Sequence, residues 1–171
     1  MADTIKFLKT REVKDPSRAN TYDAGIDFYV PEFTTDFVSI LRQKNPEIYI
    51  SDIEIVLGPN ERVLIPSGIH CQMASPHRAL IAANKSGVAT KMGLIFGAQV
   101  VDYEYQGEIH LSVINTGEGF IKITPGMKIL QFIEMPIYNS IIDVDYTKSV
   151  SEFYTEKTLR ADGGFGSTDT K

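Results

Sequence analysis

Asp102 and Tyr105 place a carboxylate three residues from an aromatic ring, in the polar centre of the stretch Gly97–Asn115, GAQVVDYEYQGEIHLSVIN. A flat ring can hold a sugar or base by face contact while a neighbouring carboxylate handles a proton. A second set is Lys85-Ser86-Gly87, where a cation, a hydroxyl and the N–H groups of a helix start together suit an oxyanion or a phosphate. The third is the end of the chain, RADGGFGSTDTK from Arg160. Its arginine, glycine-rich backbone and hydroxyls can wrap a phosphate, with Phe165 as an apolar lid. Each set has a plainer alternative. An Asp and a Tyr near a turn also serve solubility and edge protection. Serine is a common N-cap and lysine a common surface residue, and glycine-rich termini are commonly disordered. Asp23 and Asp27 read alone as solvated acids at a strand mouth. Gln131, set among Ile129, Leu130, Phe132 and Ile133, needs partners that neighbouring backbone can supply. The glycines follow no strand–turn–helix pattern, so neither a dinucleotide fingerprint nor a nucleoside-triphosphatase loop applies.

Periodicity sets out the elements that must position these groups. The apolar runs at 98–101 and 109–114 flank the polar centre, and the second alternates like a half-buried strand. Gly107 falls where a tight connection would need a positive φ, so 97–115 is expected as a β-hairpin. Further strands are expected over 5–13, 23–30, 48–57, 62–65, 68–73, 79–83, 120–123, 128–135 and 137–144, broken by Gly/Pro turns. From 33 to 49 the spacing of Phe37, Ile40 and Leu41 is helical, with Thr35 or Asp36 as N-cap and Pro46 as the stop. Residues 84–93 read as a strand end, a turn and one or two helical turns closed by Gly93. Residues 146–159 read as polar and irregular. Many short strands with little helix predict an all-β sandwich or barrel.

With 171 residues, 43% hydrophobic and 23% charged, the expectation is one domain with a real core. A net charge of −5 counts against a broad grip on nucleic-acid backbone but leaves a small anionic ligand open. The single cysteine, Cys71, makes no internal disulfide and fits a reducing compartment. No basic-then-apolar leader opens the chain and no apolar run is long enough to span a bilayer. A soluble cytoplasmic protein, with no membrane contact and no direct nucleic-acid binding, is the expectation. His70, His77 and His110 have no transition-metal spacing, and Cys71 in its apolar run is expected to be packed rather than nucleophilic.

Five polar clusters run in order along the chain: DAGID, NKSGVATKMG, VVDYEYQGE, PGMKILQ and R-x-x-GGFGST. Together they closely resemble the five motifs of the trimeric deoxyuridine triphosphate nucleotidohydrolases, the dUTPases, over nearly the whole chain. The resemblance implies a jelly-roll-like β subunit with one or two short helices, a homotrimer with sites at subunit interfaces, and Mg²⁺-dependent conversion of dUTP to dUMP and diphosphate. It implies a catalytic body over 1–155, with an insertion at about 32–52, and an arm over 156–171 that closes on the site. By the same resemblance Asp102 orients and deprotonates the attacking water, and Tyr105 packs under the deoxyribose. Backbone near Gly97, Gln99 and Ile109–His110 pairs with the uracil edge. Lys85, Ser86, Gly87 and Gln131 face the phosphates, and Asp27 supports the metal–water network without ligating the ion. Arg160, Phe165, Gly166, Ser167 and Thr168 belong to the closing arm. Mg²⁺ is then held mainly by the phosphates and water.

Several positions depart from the family pattern. Lys85 and Lys128 stand where arginine is usual, keeping the charge but losing the bidentate fork. Gln99 and Ala161 stand where glycine is usual. The segment 32–52 and the connection from Gln131 to Arg160 are longer than usual, as in viral and phage members, and the first is expected to offer a surface to a protein partner. Two other readings compete. One is the dCTP deaminase of the same fold, which lacks this tyrosine and the GFGST ending. The other is a non-catalytic regulatory module, which the intact Asp102 disfavours.

Overall fold

The computed structural model describes residues 4–156, 158, 159 and 161, in two compact units, Met1–Tyr138 and Asn139–Lys171. In the first unit the elements run β1 (Lys6–Lys9), β2 (Gly25–Phe28), α1 (Thr35–Lys44), β3 (Tyr49–Ile50), β4 (Ile55–Leu57), β5 (Arg62–Pro66), β6 (Ile69–Gln72), β7 (Arg78–Asn84), α2 (Ser86–Met92), β8 (Leu94–Phe96), β9 (Val100–Val101), β10 (His110–Asn115), β11 (Ile121–Ile123) and β12 (Leu130–Pro136). Among the described residues of the second unit there is a single helical turn, α3 (Val150–Phe153). The described residues thus contain three helices where one or two were expected. Their strands form open antiparallel sheets, ordered β1-β6, β5-β10-β8, β11-β4-β3 and β2-β12-β7-β9, with no closed barrel.

The strands form because apolar residues recur at period two and share one buried face. Along β10, Leu111, Val113 and Asn115 are buried while His110, Ser112 and Ile114 are half-buried. On the four-stranded sheet, Ile26, Phe28, Leu80, Leu130 and Phe132 are buried to within 2%. The rings of Phe28 and Phe132 lie 4.6 Å apart and tilted, with Phe7 edge-on to Phe28 at 5.7 Å. Each such pair adds about 1 kcal/mol beyond its buried area.

The inserted segment folds onto this body through α1, which buries Phe37, Val38 and Leu41, whereas Ile40 is only half-buried. Its N-cap is Thr34, not Thr35 or Asp36: the Thr34 hydroxyl accepts from the N–H of Phe37 at 3.3 Å. The helix ends at Asn45, before Pro46. The Asn45 amide donates to the carbonyls of Leu41 and Leu64 at 2.9 and 3.0 Å, and its oxygen accepts from the Leu64 N–H at 2.8 Å. The buried asparagine is fully partnered and ties the insertion to β5.

Two expectations fail on strand partnership. Residues 97–115 are no hairpin: β9 pairs with β7, while β10 pairs with β5 and β8. Each arm buries its apolar side in a different sheet, so residues 102–109 cross between sheets. Gly107 accordingly does not take a positive φ. Residues 137–144 form no strand; beyond the bond from the Ile137 N–H to the His77 carbonyl no ladder partner is present among the described residues. Tyr138, Ile141 and Ile142 are 94, 95 and 87% exposed.

Candidate active site

A cavity of about 180 Å³ lies between β9 and the crossing segment, lined among others by Gln99, Asp102, Tyr105, Ile109, His110 and Phe132. Its back wall is rigid because β9 is laddered to β7 and the Gln99 carbonyl accepts from the Ala82 N–H at 2.7 Å. Larger grooves of about 640 and 720 Å³ open beside α1 and along β1 and β6, so chemistry rather than size singles this pocket out. Asp102 sits in a turn closed by the Tyr105 N–H donating to its carbonyl at 3.1 Å. Its carboxylate is exposed and has no hydrogen-bond or ion-pair partner among the described residues. Tyr105 is held by its own hydroxyl, which donates to the Glu108 carbonyl at 2.9 Å. A Cβ on Gly107 would stand 2.5 Å from the ring's Cζ and Oη. Glycine is therefore required there for the space the ring occupies.

The same Glu108 carbonyl accepts from Nδ1 of His110 at 2.8 Å. That bond places the ring proton on Nδ1 and leaves Nε2 buried with no partner among the described residues. Burial pushes the His110 pKa down, and the charges of Lys44 and Arg11 add to this against the opposing pull of Glu108. The imidazole is neutral at physiological pH. Of the expected base-edge backbone, the Ile109 N–H is already used, donating to the Ile69 carbonyl at 2.8 Å. The Gly97 N–H likewise donates to the Ser112 carbonyl at 2.8 Å. With the Gln99 carbonyl also in use, on the Ala82 N–H, this narrows the expected donors of the edge to the N–H groups of Ala98 and Gln99 and to His110.

The second cluster lies on β2, β12 and the end of β7. Asp27 is 4% exposed. One of its oxygens meets Lys85 Nζ in a short contact and the other meets Lys128 Nζ at 3.0 Å. Burial pushes the Asp27 carboxyl up, but hydrogen bonds and charge from the two lysines more than reverse this and hold it below its ordinary range. Both lysines that replace arginine therefore converge on one buried carboxylate, and Asp27 faces ammonium groups. Lys85 caps α2, with Ser86 and Gly87 exposed at the helix start and Gly93 closing it in the left-handed conformation at φ 72°. Gln131 donates to the Asn84 carbonyl at 2.8 Å. Gln131 and Asp27 are cross-strand partners, whereas Phe132, next on β12, lines the pocket. Successive strand residues face opposite sides, so pocket and lysine cluster lie on opposite faces of one sheet. Arg160, Phe165, Gly166, Ser167 and Thr168 lie outside the described residues.

One ion pair next to the pocket's lining residues Tyr105 and Ile109 was not singled out from the residue pattern. Arg11 grips Glu108 with two bonds, Nε to Oε1 at 2.8 Å and Nη2 to Oε2 at 2.9 Å. The available signal was an acid beside Gly107 inside a segment otherwise assigned to substrate; its partner lies 97 residues away.

Fold and pocket together define an antiparallel β protein that sets a flat ring and a free carboxylate around a small cavity, with a cationic cluster on the reverse face. A model of the dUTPase family matches residues 47–169. The deoxyuridine 5'-triphosphate nucleotidohydrolase of Tolumonas auensis is 32% identical over 84% of this chain and 89% of its own length. A Staphylococcus bacteriophage 80alpha dUTPase mutant, solved with dUpNHpp, superimposes with a TM-score of 0.73 at 18% identity, covering 96% of this chain and 98% of that one. A mutant dUTPase from phage phi11 of S. aureus, described with a structural Mg(II) ion, superimposes with a TM-score of 0.65 at 18% identity, covering 84% and 97%. The fold is the jelly-roll-like one of these structures. The chain belongs to the dUTPase family.

Proposed function

We infer that this protein is a dUTP diphosphatase, converting dUTP and water to dUMP and diphosphate. The observation that carries the reading is Asp102, an exposed and unpartnered carboxylate beside the Tyr105 ring, inside the family-matched residues 47–169. In this reading uracil and deoxyribose enter the cavity, with the sugar against the Tyr105 ring. A ring pressed on C2′ leaves no room for a ribose hydroxyl, which excludes UTP. The edge at Ala98 and Gln99 tells uracil from cytosine, whose polar edge is reversed. Asp102 orients a water on the α-phosphorus and takes its proton. The new P–O bond forms as the α–β bridging bond breaks, and diphosphate leaves. The chemistry limits uracil in DNA and supplies dUMP for thymidylate synthesis.

Magnesium fits this site in one way. The described residues bring no three His, Cys, Asp or Glu side chains together, so the ion would be held by phosphate oxygens and water, with free Asp102 toward that water. When bound it neutralises phosphate charge and eases formation of hydroxide-like water. The structural Mg(II) ion described for the phi11 protein supports the assignment.

A homotrimer with sites shared between copies is part of the reading. Two features support it: the lysine cluster lies on the sheet face away from the pocket of its own chain, and Tyr138, Ile141, Ile142, Tyr146 and Leu159 are at least 87% exposed. The cluster of Lys85, Ser86, Gly87 and Gln131 then serves a neighbour's phosphates, and residues 156–171, with Arg160 and Phe165 to Thr168, close over the nucleotide. No helix among the described residues is long and apolar enough to cross a membrane, and the cytoplasm is the assigned place of action. The outward side of α1, with Asp36, Ser39 and Gln43 exposed, is the surface the insertion would offer a protein partner. The deciding experiment measures diphosphate release from dUTP, dCTP, dTTP and UTP with Mg²⁺. Rapid release from dUTP alone supports the reading, and equal release from all four, or none from dUTP, ends it.

A further inference from the structure

The position of the Tyr105 ring decides whether a ribose hydroxyl fits, so whatever fixes that ring sets the sugar preference. Two contacts hold it: its hydroxyl on the Glu108 carbonyl at 2.9 Å, and the bare backbone of Gly107 beneath it. Both belong to residues 107–108, in a segment with no ladder of its own. The segment is tied down by the Ile109 N–H on the Ile69 carbonyl at 2.8 Å and by the bond between His70 Nδ1 and the Gln106 carbonyl at 3.0 Å, and at residues 107–108 the side-chain anchor is Glu108, 17% exposed. Its Oε1 accepts from the Gly68 N–H at 2.6 Å, and both its oxygens take the fork of Arg11. Arg11 is itself fixed. The Thr10 N–H donates to the Gly68 carbonyl at 2.8 Å, and the guanidinium lies 5.0 Å from the ring centroid of Phe37, buried on the inserted helix α1. Three segments distant in sequence thus meet behind the tyrosine, and a planar bidentate pair at low exposure holds direction as well as distance.

We propose that Arg11 is a positioning residue that, through Glu108, fixes the Tyr105 ring and so sets the preference for deoxyribose over ribose. The proposal rests on Tyr105 being the floor of the sugar site. Full-length protein with Mg²⁺ is assayed for kcat/KM on dUTP and on UTP, as wild type, Arg11→Ala, Arg11→Lys and Tyr105→Ala. Arg11→Ala lowers the dUTP-to-UTP ratio about tenfold, the value of one well-placed hydrogen bond to a charged group. Arg11→Lys, which keeps the charge without the fork, falls between it and wild type. Tyr105→Ala lowers the ratio at least as far as Arg11→Ala. A purely structural Arg11 would lower the active fraction for both substrates equally and leave the ratio untouched. An unchanged ratio in Arg11→Ala with a collapsed one in Tyr105→Ala overturns the role of Arg11 and leaves the sugar floor standing. An unchanged ratio in Tyr105→Ala overturns both. Should Arg11→Ala not fold, Glu108→Gln, nearly isosteric, decides by the same ratio.

Discussion

Asparagine in place of Asp27 keeps the side chain's shape and removes the one negative charge between two ammonium groups. Burial raises the native carboxyl's pKa, and the bonds and charge of Lys85 and Lys128 more than reverse it, so the group is ionised at neutral pH. Breaking a buried pair from one side costs about 3–5 kcal/mol when the surviving charge stays dry. The Lys85 side chain keeps 21% exposure and recovers part of its hydration, and the amide oxygen still accepts one bond. About 2–3 kcal/mol remains. Lys128, with 47% of its side chain exposed, returns to water and adds no cost. For a chain of 171 residues, Asp27→Asn should therefore lower Tm at pH 7 by about 4–12 °C. Wild type and variant are compared by circular dichroism at equal concentration, since assembly makes Tm concentration-dependent. The pH dependence has a definite sign. A carboxyl whose folded pKa lies below its ordinary 3.8 stabilises fully above that value and loses its contribution as pH falls through the folded pKa. The gap should be constant from pH 7 to 5, shrink below pH 4 and close at lower pH. Glu108, also depressed because Arg11 and the Gly68 N–H outweigh its burial, titrates in both proteins and cancels in the difference. A gap under about 1 °C at pH 7, or one that widens on acidification, refutes the account of Asp27 as the counter-charge of the two lysines.

Asp102→Asn removes the proposed proton acceptor and should cut turnover by about 10²–10⁴ while calorimetry still detects binding of dUpNHpp; lost binding with intact turnover of what binds contradicts its role. Ending the chain after Leu159 should lower kcat on dUTP by about 10² or more and leave the oligomer unchanged in light scattering. Normal turnover would dismiss the closing arm. Gly107→Ala places a methyl 2.5 Å from two atoms of the Tyr105 ring. It should lower the dUTP-to-UTP ratio about tenfold with a Tm change under about 4 °C, and a ratio equal to wild type would show that the ring moves without consequence.

What could be read from residue order was local chemistry. Lys85-Ser86-Gly87 opens a helix and Gly93 closes it because capping and a left-handed stop are decided within a turn. Asp102 and Tyr105 share a pocket because three residues in a tight turn cannot move far apart. Strand partnership was not legible. Alternation shows that β10 has a buried face but not that β5 and β8, rather than β9, flank it, since pairing is settled by long-range burial. The apolar residues at 137–144 look like a strand for the same reason and find no ladder among the described residues. Charge partnership was hidden by distance as well: Lys85 and Lys128 lie 58 and 101 residues from Asp27, and Arg11 lies 97 from Glu108. These hidden contacts share a logic. Each ties one polar group of a motif to a segment outside it, and each uses a charge too buried to be left unpaired. In the proposed reading the motif residues supply the groups that meet the nucleotide, while contacts between positions far apart in sequence, Arg11 with Glu108 and Asp27 with Lys85 and Lys128, determine where those groups stand.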